Sequence, residues 1–322
     1  MTNMQAEQAS VLIDTIKTEI GRAVIGQKAV IHQTLLALIA GGNVLVEGVP
    51  GLGKTLLVRA LAKTFEGQFS RIQFTPDLMP ADVTGHTMVD LKSNEFNLRR
   101  GPIFTHLLLA DEINRAPAKT QSALLEVMQE RQVTIDGESH PVPLPFMTLA
   151  TQNPLEQEGT YPLPEAQLDR FLLKIFIEYP EVDEETLMVA AVTNKQTGDQ
   201  FNLSRVMTVA APDDILALQS LAAHVQADQQ VIDYAVQVVH ATRNWQGLSL
   251  GAGPRGSISL IRAARAEALC HQRDFITPDD IKAVALPALR HRVALSPDME
   301  LEGHTTDQIL ESILQNIDAP RQ

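Results

Sequence analysis

Apolar residues change their rhythm along this chain, and the change divides it in two. Leu12, Ile16 and Ile20 recur at helical spacing, which predicts an amphipathic helix up to about Gly21. Lys28 to Ala40 predicts a second helix, stopped by Gly41-Gly42. Short strand candidates follow: Asn43 to Glu47, Ser70 to Phe74, His106 to Asp111, Phe146 to Thr151 and Leu172 to Ile177. Each has the length of a strand. Helical stretches separate several of them, including Leu56 to Ala62 and Lys119 to Gln129. Strands alternating with helices predict a parallel sheet covered on both faces.

After Tyr179-Pro180 the strand signal fades. Glu184 to Thr193, Asp213 to His224, Gln230 to Asn244, Ser257 to His271 and Pro278 to Leu289 all carry helical patterns. Thr277-Pro278-Asp279-Asp280 is a helix start, with Thr as N-cap, Pro at the first helical position and an acid three residues after the cap. The expected organisation is an α/β domain over residues 1–180 and an all-α domain over residues 181–322. Two segments interrupt the regular pattern. Met88 to Arg99 surrounds Lys92-Ser93-Asn94, and Gln132 to His140 surrounds Asp136-Gly137, a favoured two-residue hairpin turn. From the residues alone these are either ordinary surface hairpins or functional inserts.

Composition narrows the class. The 322 residues suffice for two domains with cores, and 44% are hydrophobic. No apolar run approaches the ~20 residues of a membrane span. The first residues lack the basic-then-apolar order of a signal peptide, so a cytoplasmic protein without a membrane role is expected. Cys270 is the only cysteine, which excludes an internal disulfide and a cysteine metal cluster. A net charge of −13 and 4% aromatic residues weigh against nucleic acid as a partner.

The candidate chemistry starts at Gly48-Val49-Pro50-Gly51-Leu52-Gly53-Lys54-Thr55, a phosphate-binding loop motif between a strand and a helix. Its backbone N–H groups and the helix N-terminus suit phosphate oxygens. Gly48, Pro50, Gly51, Leu52, Gly53, Lys54, Thr55 and Leu56 are the expected contacts. Lys54 would reach the β- and γ-phosphates, and the Thr55 hydroxyl would bind Mg²⁺. The apolar strand Leu107 to Ala110 ends in Asp111-Glu112. Asp111 suits a Mg²⁺-bound water and Glu112 a general base. A second apolar strand ends at Asn153, which could hold the attacking water or the γ-phosphate. Arg170 precedes the last strand and Arg255 opens a helix. In isolation the commoner fate of either arginine is a surface ion pair.

The chain resembles the MoxR group of AAA+ ATPases over essentially its whole length. Leu108 to Ala116, Leu124 to Arg131 and Ala150 to Pro154 carry the resemblance most specifically, and Glu165 to Phe171 and Val24 to Gln27 extend it. The resemblance implies a P-loop AAA+ core with a lid, and Mg²⁺-dependent ATP hydrolysis. It implies roles too. Lys54 and Thr55 serve phosphate and Mg²⁺, Asp111 and Glu112 form the acidic pair, and Asn153 is the first sensor. Arg170 is the arginine finger and Arg255 the second sensor. Val24, Ile25, Gly26 and Gln27 line the adenine pocket, and the two hairpins are clade-specific inserts. The implied assembly is a hexameric ring whose partner carries a von Willebrand factor A domain. Gly253 and Gly256 depart from the Ser and Ala frequent in the family, and helical glycines would loosen the seat of Arg255. Two other readings stay open: a chelatase-type or DNA-translocating motor, and a nucleotide-gated scaffold with little hydrolysis.

Overall fold

The computed structural model describes residues 4–49, 51–90, 95–153, 159–193 and 203–320. Helices α1 (Ala6–Gly21) and α2 (Lys28–Ile39) lead into β1 (Val44–Glu47), and α3 (Lys54–Thr64) follows. Next come β2 (Phe69–Gln73), the short α4 (Pro80–Thr84), and a hairpin of β3 (Gly85–Asp90) and β4 (Glu95–Arg100). Strand β5 (Leu107–Asp111) and α5 (Ala118–Glu130) precede a second hairpin, β6 (Gln132–Ile135) and β7 (Glu138–Pro141). Then β8 (Met147–Gln152), the short α6 (Glu165–Leu168) and β9 (Leu173–Phe176) complete the first half. The second half holds α7 (Val182–Thr193), α8 (Pro212–His224), α9 (Gln229–Thr242), β10 (Leu248–Leu250) and α10 (Pro254–Cys270). It ends with α11 (Pro278–Leu289), β11 (Ala294–Leu295), α12 (Pro297–Leu301) and α13 (Thr306–Asn316).

Five strands form one sheet in the order β2-β5-β8-β1-β9, and every neighbouring pair is parallel. Continuous apolar runs are what such a sheet demands, because successive side chains point to opposite faces and both are covered. Val44, Val46, Leu107, Leu109, Met147 and Leu149 face one core with α1, α2, α3 and the lid helices. Leu45, Leu108, Ala110 and Ala150 face the other, with Leu124, Leu125 and Phe171. Fully burying one such leucine contributes about 1.5–3 kcal/mol.

The lid is helical, as the sequence predicts, with additions after α9: a two-stranded ribbon and the helices α12 and α13. β10 and β11 pair as a small antiparallel ribbon. They are three and two residues long, too short to show an alternating pattern. α13 starts from Thr305, whose hydroxyl accepts from the Gln308 N–H while the Gln308 side chain returns to the Thr305 N–H. Both hairpins form. Asp136 and Gly137 sit at φ 50° and 86°, the left-handed pair that a type I′ turn needs. In the first hairpin Phe96 is 76% exposed, with Met88 and Val89 also exposed; its tip, Lys92-Ser93-Asn94, lies outside the described residues.

Candidate active site

The parallel sheet has two ends, and a cleft lies at each. At the C-terminal ends of β1, β5 and β8 is a cleft of about 330 Å³ lined by Gly51, Gly53, Lys54, Thr55, Leu56, Arg71, Gln73, Asp111, Glu112, Thr151 and Asn153. The phosphate loop, the acidic pair and Asn153 therefore converge as the sequence suggests. Pro50 and Pro154 lie outside the described residues.

The local conformations follow from the residues. Gly53 caps α3 at φ 78°, a left-handed conformation that a side chain would strain. Gly48 admits no side chain: a Cβ there would meet the Ile177 carbonyl oxygen at 2.6 Å. Lys54 opens α3 and its Nζ donates to the Gly48 carbonyl at 2.5 Å. Burial pulls the Lys54 ammonium below its ordinary pKa, and the nearby carboxylates of Asp111, Glu112 and Glu47 pull the other way.

Asp111 and Glu112 are held by one hydroxyl. Thr151 Oγ1 donates to Asp111 Oδ1 at 2.6 Å and accepts from the Glu112 N–H at 2.9 Å. That contact supports Glu112 at φ 57°, a left-handed conformation costing about 1–3 kcal/mol in a non-glycine residue. Glu112 Oε2 accepts from Gln73 Nε2 at 2.6 Å and from Arg115 Nη1 at 2.9 Å. Asp111 Oδ2 accepts from Arg71 Nη2 at 2.6 Å. The Arg71 side chain is 47% exposed, and pairs of that kind are worth about 0–1 kcal/mol. Arg71 thus holds Asp111 loosely. The oxygens of Thr55 and Asp111 share this cleft, a sparse hard-donor set that fits Mg²⁺ completed by phosphate and water.

The sequence reading missed Arg71, Gln73 and Thr151. Arg71 and Gln73 are two apart on β2, so the strand period puts both on one face, and Gln73 pairs in register with Asp111. That alternation was available in the sequence. What it lacked was the strand order.

Arg170 and Arg255 are elsewhere. They line a cleft of about 450 Å³ at the opposite end of the sheet, where β1 and β9 begin, together with Arg131, Arg262, Arg292, Asp169 and the end of α5. Arg255 lies in the first turn of α10, which starts at Pro254, earlier than the sequence pattern suggests. Gly253 is therefore an extended N-cap, outside the helix. Gly256 is helical and buried, and a Cβ there would stand 3.2 Å from Leu289 Cδ2. The flexibility of Gly256 is thus offset by a tight helix contact. Arg255 Nε lies 3.9 Å from Asp169 Oδ2 with its side chain 50% exposed, so Arg255 is available to an incoming ligand.

Val24, Ile25, Gly26 and Gln27 occupy the α1–α2 connection, outside the lining of either cleft. Gln27 Nε2 donates to the Glu178 carbonyl at 3.0 Å, and Gly26 packs against Glu184. Glu178 follows Ile177, the residue against which Gly48 packs. The segment is thus a neighbour of the phosphate loop's first turn.

Residues 43–173 match the ATPase family associated with various cellular activities (AAA), and residues 240–313 match the AAA lid domain. The fold and cleft are those of an AAA ATPase. The chain is 43% identical to Chaperone MoxR1 of Mycobacterium tuberculosis, over 94% of this chain and 81% of that protein. It is 30% identical to Protein MoxR of Methylorubrum extorquens, over 94% and 93%. A crystal structure of a candidate ATPase from Cytophaga hutchinsonii superposes with a TM-score of 0.90 at 42% identity, over 98% and 97%. The chain belongs to the MoxR family of AAA+ ATPases.

Proposed function

We propose that the chain hydrolyses Mg²⁺-bound ATP at sites shared between copies in a head-to-tail ring, and uses the cycle to remodel a protein partner. The observation that carries this reading is the separation of the two clefts. Phosphate-binding and water-activating groups lie at one end of the sheet, and Arg170 and Arg255 at the other. A neighbour placed head to tail brings one end to the other, and such contacts can close into rings. The family resemblance makes that ring a hexamer.

Lys54 and the N–H groups at the start of α3 hold the β- and γ-phosphates, and the adenine lies against Val24 to Gln27. Thr55 and Asp111 hold Mg²⁺, which neutralises phosphate charge when bound. Thr151 fixes both members of the acidic pair through one oxygen. Glu112 accepts a proton from the attacking water, and Asn153 orients that water. Arg170 and Arg255 of the next copy stabilise the charge that develops on the transferring phosphate.

The β3–β4 hairpin, with Phe96, Met88 and Val89 exposed, is the partner-facing surface. The name of one relative, Chaperone MoxR1, supports a chaperone role, and the resemblance makes a von Willebrand factor A protein the expected partner. Among the described residues no helix is long and apolar enough to cross a membrane.

The Glu112→Gln variant tests this reading. With ATP it should assemble into a hexamer that retains unhydrolysed nucleotide and captures the partner. A variant that stays monomeric, beside a parent whose turnover per chain is independent of protein concentration, would overturn the shared site.

A further inference from the structure

One buried charged side chain has no part in the mechanism above. Arg292 lies between α11 and β11, in the lid, and is 6% exposed. Its donors point into the core domain. Nε donates to Asp169 Oδ1 at 2.7 Å, Nη2 to the Phe171 carbonyl at 2.6 Å and the Asp169 carbonyl at 3.3 Å, and Nη1 to the Leu172 carbonyl at 3.2 Å. Within the lid it donates to the Ala288 carbonyl and to Ser259 Oγ at 3.0 Å. Ser259 lies one turn along α10 from Arg255.

The core groups it grips bracket Arg170: the residue before it and the two after. The neighbours of Arg292 act alongside it. The His291 ring is buried and its Nε2 donates to the Phe171 carbonyl at 3.1 Å. Burial, with Arg292 adjacent, drives its pKa well below the ordinary value, so the ring is neutral and adds no charge to the cluster. The Arg290 guanidinium stacks 4.3 Å from the Phe176 ring centroid, and its Nη1 donates to the Lys174 carbonyl at 3.4 Å. Three consecutive lid residues thus lace onto β9 and its lead-in. Only a planar fork of five donors can serve this many carbonyls and a carboxylate at once, so lysine is no substitute.

We propose that Arg292 is a positioning residue: it fixes the backbone around Arg170 and couples the seating of the lid to delivery of Arg170 to the neighbouring subunit's nucleotide. This rests on the reading that Arg170 acts across a subunit boundary. Asp169 transmits the effect, because its carboxylate stands between Arg292 at 2.7 Å and Arg255 at 3.9 Å. A purely structural clamp and a positioning residue differ in what they damage. The clamp's loss harms both clefts. Loss of the positioning residue harms only what a subunit donates and leaves its own nucleotide cleft intact.

The test sorts variants of the full chain by which half of the site they lose. Arg292→Lys and Asp169→Asn are compared with Arg170→Ala and Lys54→Ala, alone and in mixtures whose mixed assemblies are verified by mass. Arg292→Lys should bind ATP with the parent's affinity and hydrolyse it about a hundredfold more slowly, the scale of a misplacement near 1 Å. Mixed with Lys54→Ala it should regain activity; mixed with Arg170→Ala it should not. Asp169→Asn should sort the same way, and decides the matter alone if Arg292→Lys does not fold. Parent-like turnover in both variants, loss of their own ATP binding, or rescue by Arg170→Ala overturns the proposal. If the control mixture of Arg170→Ala with Lys54→Ala stays inactive, the shared site itself fails and takes the proposal with it. An active control beside wrongly sorted variants removes only the role of Arg292.

Discussion

The two clefts are built by opposite means. The nucleotide cleft is made of short contiguous motifs at strand ends, each of which largely specifies its own shape. A left-handed glycine caps α3 and Lys54 reaches back six residues to Gly48; the hydroxyl of Thr151, from the neighbouring strand β8, is a long-range addition that holds both acids. The arginine cleft gathers residues from Gly41 to Arg292, from five separate segments, and only the packed lid brings them together. Its arginines also differ among themselves. Arg292 is held 2.7 Å from Asp169 with a side chain 2% exposed, so losing that partner leaves a guanidinium charge buried and under-compensated. Arg255 shares the same carboxylate at 3.9 Å and is half exposed, so its attachment is weak. A site that receives a ligand can be specified locally. The proposed donation of Arg170 to a neighbour needs a rigid frame behind that charge, and the frame is tertiary.

That contrast can be broken at several points. The largest effects belong to the nucleotide cleft. Lys54→Ala should abolish nucleotide binding, measured by titration with a fluorescent ATP analogue. Glu112→Gln should keep that binding and slow phosphate release by about 10²–10⁴, the range of general-base catalysis. Parent-rate hydrolysis in Glu112→Gln would refute the base assignment. Next, Arg170→Ala should slow hydrolysis by about 10³ with ATP affinity unchanged, because the subunit's own cleft is untouched. A large fall in affinity instead would place Arg170 in its own subunit's site.

Smaller effects test the supports. Thr151→Val keeps the size of the side chain and removes the hydroxyl shared by Asp111 and Glu112. It should cost about 1–3 kcal/mol, roughly 10–100-fold in turnover, and steady-state kinetics would register it in kcat more than KM. An unchanged kcat would mean the acidic pair is held by other contacts. Deleting the tip at Asp136-Gly137 should leave basal hydrolysis nearly intact and weaken the response to a partner. An unchanged response would make that hairpin an ordinary surface loop.

Much of this molecule was legible in the sequence where structure is local. The five sheet strands fall within one residue of the segments that announce them: β1, β5, β8 and β9 because buried parallel strands need apolar stretches, and the edge strand β2 by its alternating pattern. Asp136-Gly137 announced its turn by chemistry alone. Residues whose role depends on a distant partner gave no such signal. Thr151 looks like any strand residue until β8 lies beside β5. Arg71 acquires meaning only when β2 pairs with β5. Arg292 follows a helix like many surface arginines, and its burial against Asp169 comes from the lid's docking. The β10–β11 ribbon is too short for any periodicity.

The central claim is that each ATP site is completed by an arginine from the neighbouring copy. Mixing Lys54→Ala with Arg170→Ala tests it most directly. Alone, each variant should be nearly inactive, the first lacking nucleotide and the second lacking the donated charge. In mixed rings a Lys54→Ala subunit still presents Arg170 to a neighbour whose Lys54 is intact, so phosphate release should recover to a measurable fraction of the parent's. Mixtures no more active than either variant alone, with mixed rings verified by mass, would contradict the account.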